Sequence, residues 1–203
     1  MVPPVVHWGA FRRLRPDLAE AGRRLLYQFG VGLGFLGTVR ADGGPRIHPI
    51  CPLLTDDGLY AFLAPSLKRD DLRRDPRYAL HTFPSPQNED AFYVTGIVRP
   101  VEDTQTVAAL RAQFLAERKW DSAPLEAGRD ELFEFVIDRC LHTATTGHGD
   151  WNPKHVVCVR RTVSPPTGDV SPDAMPQDEG GMVAACNAAR ESGRPGSNWR
   201  PCA

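Results

Sequence analysis

The sequence predicts a mainly β fold of the α+β class: an antiparallel barrel with peripheral helices, followed by a disordered C-terminal tail. Six or seven short apolar runs are joined mostly by hairpin-like turns, such as Asp-Gly-Gly at 42–44 and Asp-Asp-Gly at 56–58. Helical periodicity is confined to separate segments at the start, in the middle and late in the chain. Hairpin connections favour an antiparallel barrel over a βαβ sheet.

Composition bounds the class of protein. The 203 residues are 41% hydrophobic and 24% charged, with a net charge of -1, whereas a general nucleic-acid binder normally carries a basic excess. No apolar run reaches the roughly 18 residues that a membrane helix needs, and the N-terminus lacks the charged-then-apolar order of a signal peptide. Five dispersed cysteines fit neither a disulfide framework nor a zinc site. These features predict a cytoplasmic protein without nucleic-acid or membrane partners.

The first part of the chain is predicted to form one helix and then a strand meander. Residues 17–29 carry apolar side chains at helical spacing, between a start signal at Pro16 and a stop signal at Gly30. Three β-prone runs follow at residues 33–40, 46–54 and 58–64. The turns between them contain Gly, which tolerates the positive φ that tight hairpins require.

The second part alternates strands with helices. A short helix is predicted over residues 67–74, with Ser66 as its N-cap and an end at Asp75, because a residue before Pro avoids helical geometry. Strands are predicted at residues 77–83, 90–101, 131–145 and 154–161, and a second amphipathic helix at 104–119. From about residue 163 the chain is rich in Pro, Gly, Ser and Asp, which predicts disorder over 163–203.

The start of the helix at 67–74 is a candidate anion site. The first-turn amides of a helix are unpaired and electropositive, Ser66 offers a hydroxyl there, and Lys68 and Arg69 add cations within the same turn. Converging donors of this kind suit a phosphomonoester. The alternative is a solvated helix face, on which Asp70 and Arg74 pair at i,i+4 spacing.

The run GTVRADGGPRIHPICPLLTDDGLYAFL, followed by SLKRDDLRRDPRYALH and FYVTGIVRPV, resembles the pyridoxamine 5'-phosphate oxidase-like family over roughly residues 30–160. The resemblance implies a flavin-binding split β-barrel at residues 1–162 and a homodimer with the cofactor in a groove between subunits. It places the cofactor phosphate at Ser66, Lys68 and Arg69. It places the isoalloxazine ring against Arg46, His48, Pro49, Ile50 and Cys51.

The implied function is an FMN-binding oxidoreductase acting on an unknown small molecule. The coenzyme F-420 is an alternative cofactor, because only three of the 24 basic residues are lysines and this bias suggests a GC-rich genome, in which related deazaflavin enzymes are common. A non-enzymatic flavin or heme module is a further alternative, with His48, His81 and His142 as candidate iron ligands. Residues matching the oxidase's second-substrate site are not identifiable, and no catalytic acid or base is assigned.

Two further segments carry predictions. The loop at 145–155 is a candidate for the substrate end of the site through His148, Asp150, Trp151 and Asn152, the alternative being a structured turn with an aromatic plug. Its histidine spacing matches no short zinc signature, so no metal site is predicted. The end of the chain, AARESGRPGSNWRPCA, resembles a read-through product of a transfer-RNA gene, so Cys186, Trp199 and Cys202 are expected to have no function.

Overall fold

The computed structural model describes residues 5–119 and 129–159. Within them the chain forms four helices and eight strands. In chain order these are α1 (Trp8–Leu14), α2 (Pro16–Leu26), β1 (Gly34–Val39), β2 (Pro45–Ile50), β3 (Leu53–Leu54), β4 (Leu59–Leu63), α3 (Leu67–Arg74), β5 (Arg77–Thr82), β6 (Ala91–Pro100), α4 (Thr104–Arg118), β7 (Glu131–Ala144) and β8 (Lys154–Val159).

The described strands form one antiparallel sheet in the order β2-β1-β5-β6-β7-β4-β3, with β8 also paired to β7. The two strands at the ends of this path, β2 and β3, are joined by only Cys51 and Pro52. A connection this short requires the sheet to curl until its two edges meet. The sheet therefore forms a barrel wall, as predicted.

β7 is the strand at which the barrel wall divides. It pairs with β6 along nearly its whole length, while its first part pairs with β4 and its last part with β8. A bulge places the extra residue Asp138 in β7, because Thr95 pairs with Arg139 and Gly96 with Ile137. This split arrangement agrees with the fold class that the sequence predicts.

The barrel is filled by the alternate side chains of the strands. In β6 the buried side chains are Phe92, Val94 and Val98, while Tyr93 and Thr95 point to the other face. α1 and α2 add Trp8 and further buried residues to this main core. A smaller second core lies under α4 and is formed by Leu53, Phe62, Leu110, Phe114 and Leu132.

The structure differs from the sequence expectations in three local respects. α1 was not expected, although it carries the fully buried Trp8. α2 ends at Leu26, three residues early, because Gly30 adopts a positive φ of 81° and closes a turn back onto Tyr27. The single strand expected over 46–54 is interrupted at Cys51 and Pro52, where proline cannot donate to the sheet.

The predicted tail, residues 163–203, lies outside the described residues, as do the three tail residues named above and the end of the strand expected over 154–161. Among the helices of the described part, none is long and apolar enough to cross a membrane.

Candidate cofactor site

α3 lies across one end of the barrel and begins and ends where the sequence predicts. It starts directly after Ser66 and is capped at its C-terminus by Asp75, ahead of Pro76. Leu72 and Asp71 are its buried residues, 2% and 3% exposed. One apolar and one acidic side chain thus hold this otherwise highly charged helix against the barrel.

The first turn of α3 has no side-chain cap. The Ser66 hydroxyl donates a hydrogen bond of 2.9 Å to the carbonyl of Ala64, and within the part of the chain that the structure describes it makes no cap hydrogen bond to the first-turn amides. Lys68 extends towards β2, where its Nζ lies 3.5 Å from the carbonyl oxygen of Pro49. The structure therefore brings the predicted phosphate-binding turn next to the predicted ring-binding strand.

Arg69, the third phosphate candidate, already contacts residues at the start of β7. Its Nη1 donates to the carbonyl of Arg129 at 2.8 Å and lies 3.6 Å from a carboxylate oxygen of Glu131. Its Nε is buried and has no acceptor among residues 5–119 and 129–159. One donor of this guanidinium thus remains to be satisfied.

Asp71 is a residue of the candidate site that sequence reasoning missed. Its carboxylate accepts hydrogen bonds from Arg46 Nε at 2.6 Å, Thr38 Oγ1 at 2.9 Å and Arg74 Nη2 at 3.1 Å. Burial by itself raises the pKa of Asp71, but these hydrogen bonds outweigh it, so the pKa is lowered from its ordinary value. Asp71 thereby fixes Arg46 at the junction of β2 and α3.

The acid–base pairs of α3 follow i,i+3 spacing. Asp71 pairs with Arg74 at 3.1 Å and Asp70 with Arg73 at 4.0 Å, whereas the sequence suggested Asp70 with Arg74. The salt-bridged helix face is therefore present, with a different partner for each acid. The signal for the role of Asp71 was its place beside the core residue Leu72, on the face that packs inward.

The five ring candidates on and after β2 divide between two faces. The side chains of Arg46, His48 and Ile50 share one face, since alternate residues of a strand point the same way. Pro49 is exposed on the other face and contributes its carbonyl to Lys68. Cys51 is half-buried at the corner that leads into β3.

The four substrate-end candidates lie far from α3 within one chain. Arg73 of α3 forms an ion pair with Glu131 at the start of β7, whereas the loop at 145–153 follows the end of that 14-residue strand. The two ends of β7 are on the order of 40 Å apart along the strand. A single chain therefore does not bring the two groups of candidates together.

The loop itself is an ordered turn. Asp150 accepts hydrogen bonds from the amide and hydroxyl of Thr146 and from the amide of Asn152. His148 Nε2 lies 3.2 Å from the carbonyl oxygen of Pro86, whereas Trp151 is 89% exposed. The structured turn that the sequence offered as the alternative is thus present, but its aromatic residue is not a buried plug.

α3 and β2 thus meet through side chains at the residues that the sequence predicts for the cofactor. The uncapped first turn of α3 lies here, Lys68 points its ammonium at the Pro49 carbonyl, and Asp71 neutralises part of the surrounding positive charge. Within residues 5–119 and 129–159, no group of three or more potential metal-ligating side chains comes together.

Comparison with solved structures identifies the class of fold. A heme binding protein from Mycobacterium smegmatis matches with 18% identity and a TM-score of 0.52, over 70% of this chain and 58% of that one. ChuZ from Campylobacter jejuni matches with 10% identity and a TM-score of 0.54, over 71% of this chain and 58% of that one. This chain therefore corresponds to 58% of the length of each of these proteins.

A protein from Listeria innocua named for pyridoxamine 5'-phosphate oxidase also matches, with 18% identity and a TM-score of 0.49, over 61% of this chain and 96% of that one. No protein-family model and no curated protein matches the sequence. The chain therefore shares the fold of the heme binding protein and ChuZ, and its antiparallel split β-barrel is the fold class that the sequence predicts. Similarity at these identities describes the fold, and function depends on the site that the fold carries.

Proposed function

We propose that this chain binds FMN between α3 and β2 and acts as an oxidoreductase on a small-molecule substrate. The observation that carries the proposal is the uncapped first turn of α3, from which Lys68 reaches the backbone of β2. A phosphate at this turn would receive hydrogen bonds from helix amides and from a cation together, the arrangement that anions favour at helix N-termini.

The donors present at this turn suit a phosphate monoester. The Ser66 hydroxyl is half-buried beside the uncapped amides, and its one proton, now donated to the carbonyl of Ala64, would turn to a bound phosphate. Arg69 retains a buried Nε without an acceptor among the described residues, and an anion is the kind of group that satisfies such a donor. Lys68 adds a charge that can follow the phosphate, because its side chain is flexible.

β2 would bind the ring end of the cofactor. A bound flavin supplies hydride transfer, which amino-acid side chains cannot perform. Arg46, fixed by its hydrogen bond to Asp71, would stabilise negative charge at the pyrimidine edge of the ring, and His48 on the same face would orient it. Cys51 would contact the ring through its half-buried side chain and Pro49 through its backbone, whereas Ile50 is buried in the main core and would support this strand from within. No residue is assigned as a general acid or base.

The proposed active form is a homodimer in the cytoplasm. Because His148, Asp150, Trp151 and Asn152 lie at the far end of β7 from α3, they would shape the substrate end of a second subunit's site. The exposure of Trp151, at 89%, suits a residue that contacts a partner. The proposed partners are thus a second copy of the chain and a small molecule.

The visible absorption spectrum of the purified protein tests the cofactor assignment. Flavin bands that persist through desalting and disappear on denaturation and filtration support FMN binding. If the protein is colourless and binds added coenzyme F-420 but not FMN, the cofactor is the deazaflavin and not FMN. A Soret band that remains through desalting would indicate bound heme and would contradict the proposed FMN-dependent oxidoreductase.

Heme binding is the second candidate, and one observation favours it. His142 Nε2 is buried and has no partner among residues 5–119 and 129–159. Burial also lowers the pKa of this histidine, which favours the neutral imidazole that binds metals. The other two candidate ligands, His48 and His81, pair with Leu36 and Phe35 of β1. Since these neighbours point to opposite faces of the sheet, His48 and His81 do not face the same iron.

A further inference from the structure

Two cysteines that are distant in sequence are direct cross-strand neighbours in the barrel. Cys140 of β7 pairs with Cys158 of β8 in the antiparallel register. Directly opposite residues of such a pair point to the same face and have Cα atoms about 4.5–5.5 Å apart. That separation falls within the range of about 4.4–6.8 Å that disulfide bonds span.

The surroundings of the two thiols differ. Cys140 is fully buried in the main core, whereas Cys158 is half-buried and packs against that core from the side. Both cysteines are in the thiol form in this structure. Burial, and next the proximity of Cys158, raises the pKa of Cys140 far above that of an ordinary thiol. Cys158 is therefore the thiol that an external reagent reaches first.

We propose that Cys140 and Cys158 form a reversible disulfide that fastens β8 to β7. With a small disulfide such as oxidised glutathione as the oxidant, the Cys158 thiolate attacks one sulfur, and the first glutathione thiol leaves. The Cys140 thiolate then attacks the Cys158 sulfur and releases the second glutathione thiol. The protein loses two electrons and two protons, and the oxidant gains both.

The place of this bond in the fold gives it a consequence. Among the described strands β8 pairs only with β7, so this edge strand depends on a single neighbour. The segment between the two cysteines contains the whole loop at 145–153, with Trp151 at its exposed tip. Oxidation would hold the base of that loop closed and restrict the unfolded chain, which stabilises the folded state.

Peptide mapping of the full-length protein tests the bond directly. Trypsin cleavage after Arg139, Lys154 and Arg160 places Cys140 in peptide 140–154 and Cys158 in peptide 155–160, with one cysteine in each. The protein is incubated with oxidised glutathione, unfolded, alkylated and digested without reductant. We expect one species with the mass of both peptides minus two hydrogens, which a reductant converts into the two separate peptides.

Thermal unfolding provides the second measurement. Closing a loop of this length should raise the midpoint of unfolding by roughly 5–10 °C on oxidation, and reductant should reverse the rise. The Cys158→Ser variant should lose this shift, while Cys51→Ser, at the other half-buried cysteine of the described residues, should keep it. Recovery of both tryptic peptides as separate alkylated species would overturn the proposal. A glutathione adduct that stays on peptide 155–160, or an unchanged shift in Cys158→Ser, would also overturn it.

Discussion

Lys68 is the single residue on which the proposed phosphate site depends most, since it is the cation that reaches from the uncapped turn of α3 to β2. Replacing it with alanine should weaken FMN binding by about ten- to a hundredfold, the scale of one charged hydrogen bond. Fluorescence titration with FMN measures the change. Lys154→Ala, at an exposed lysine of β8, is the matched control and should leave the affinity unchanged. If Lys68→Ala and the wild-type protein bind FMN with equal affinity, the phosphate does not bind at this turn.

Asp71 and its neighbour Asp70 provide a matched pair for stability. Asp71 is 3% exposed and accepts three hydrogen bonds, whereas the side chain of Asp70 is 58% exposed and only 4.0 Å from Arg73. Asp71→Asn should lower the free energy of unfolding by about 2–3 kcal/mol, because the partly buried Arg46 and the more exposed Arg74 lose the buried carboxylate that accepts their hydrogen bonds. Asp70→Asn should change it by less than about 0.5 kcal/mol. Denaturant titration measures both, and equal losses would contradict the structural role of Asp71.

The lowered pKa of Asp71 also predicts a pH dependence. A carboxylate whose pKa is lower in the folded state than its ordinary value of 3.8 stabilises the fold fully above that value. The contribution is lost as the pH falls through the folded-state pKa. The stability difference between wild type and Asp71→Asn should therefore be constant at neutral pH and shrink below about pH 4. A difference that stays the same into the acid range would mean that the charge of Asp71 contributes nothing.

At the scale of elements, Gly96 controls how closely β6 and β7 approach at the bulge. A Cβ atom added at Gly96 would lie 1.8 Å from the carbonyl oxygen of Val136, whereas one added at Gly37 would meet its nearest neighbour, Cβ of Ala79, at 3.4 Å. Gly96→Ala should lower the free energy of unfolding by about 2–4 kcal/mol, because the backbone of β7 at Val136 has to move. Gly37→Ala should lower the free energy of unfolding by less than about 1 kcal/mol. Thermal unfolding of the two variants measures both losses of stability. Equal losses would mean that β6 and β7 can move apart at Gly96 without cost.

The elements that the sequence predicted well are those whose signals are local. The bounds of α3 follow from Ser66 and Asp75-Pro76, and the alternation of β6 follows from Phe92 to Val98. α1 escaped prediction because seven residues are too few to show helical periodicity, even though His7 caps it by accepting from the amide of Ala10.

The candidate site was less predictable, because its partners come from separate elements. The choice of Asp71 as the partner of Arg46 depends on where α3 packs beside β1 and β2, and no spacing within one segment reveals that geometry. The same reason hid the pair Cys140 and Cys158, which only the register of β7 with β8 brings together. Conversely, the residues from Ser66 to Arg69 were identifiable because they are contiguous.

At the scale of the whole molecule, the outer face of β2 is where the proposed homodimer can be tested. Ile47 is 69% exposed on this face, and its strand neighbours there, Pro45 and Pro49, are also exposed. Exposed apolar surface of this kind is typical of interaction sites. Ile47→Glu should shift the protein from dimer to monomer in sedimentation velocity, while its circular dichroism stays the same. A wild-type protein that sediments as a monomer at all concentrations would contradict the dimer.

The central claim is that the first turn of α3 binds the phosphate of a flavin, and a comparison of FMN with riboflavin tests it most directly. The two ligands share the isoalloxazine ring, and only FMN carries the phosphate, so titration of the cofactor-free protein with each isolates the contribution of this turn. We expect FMN to bind at least about tenfold more tightly than riboflavin, and Lys68→Ala to remove most of that difference. Equal affinity of the wild-type protein for the two ligands would contradict the claim.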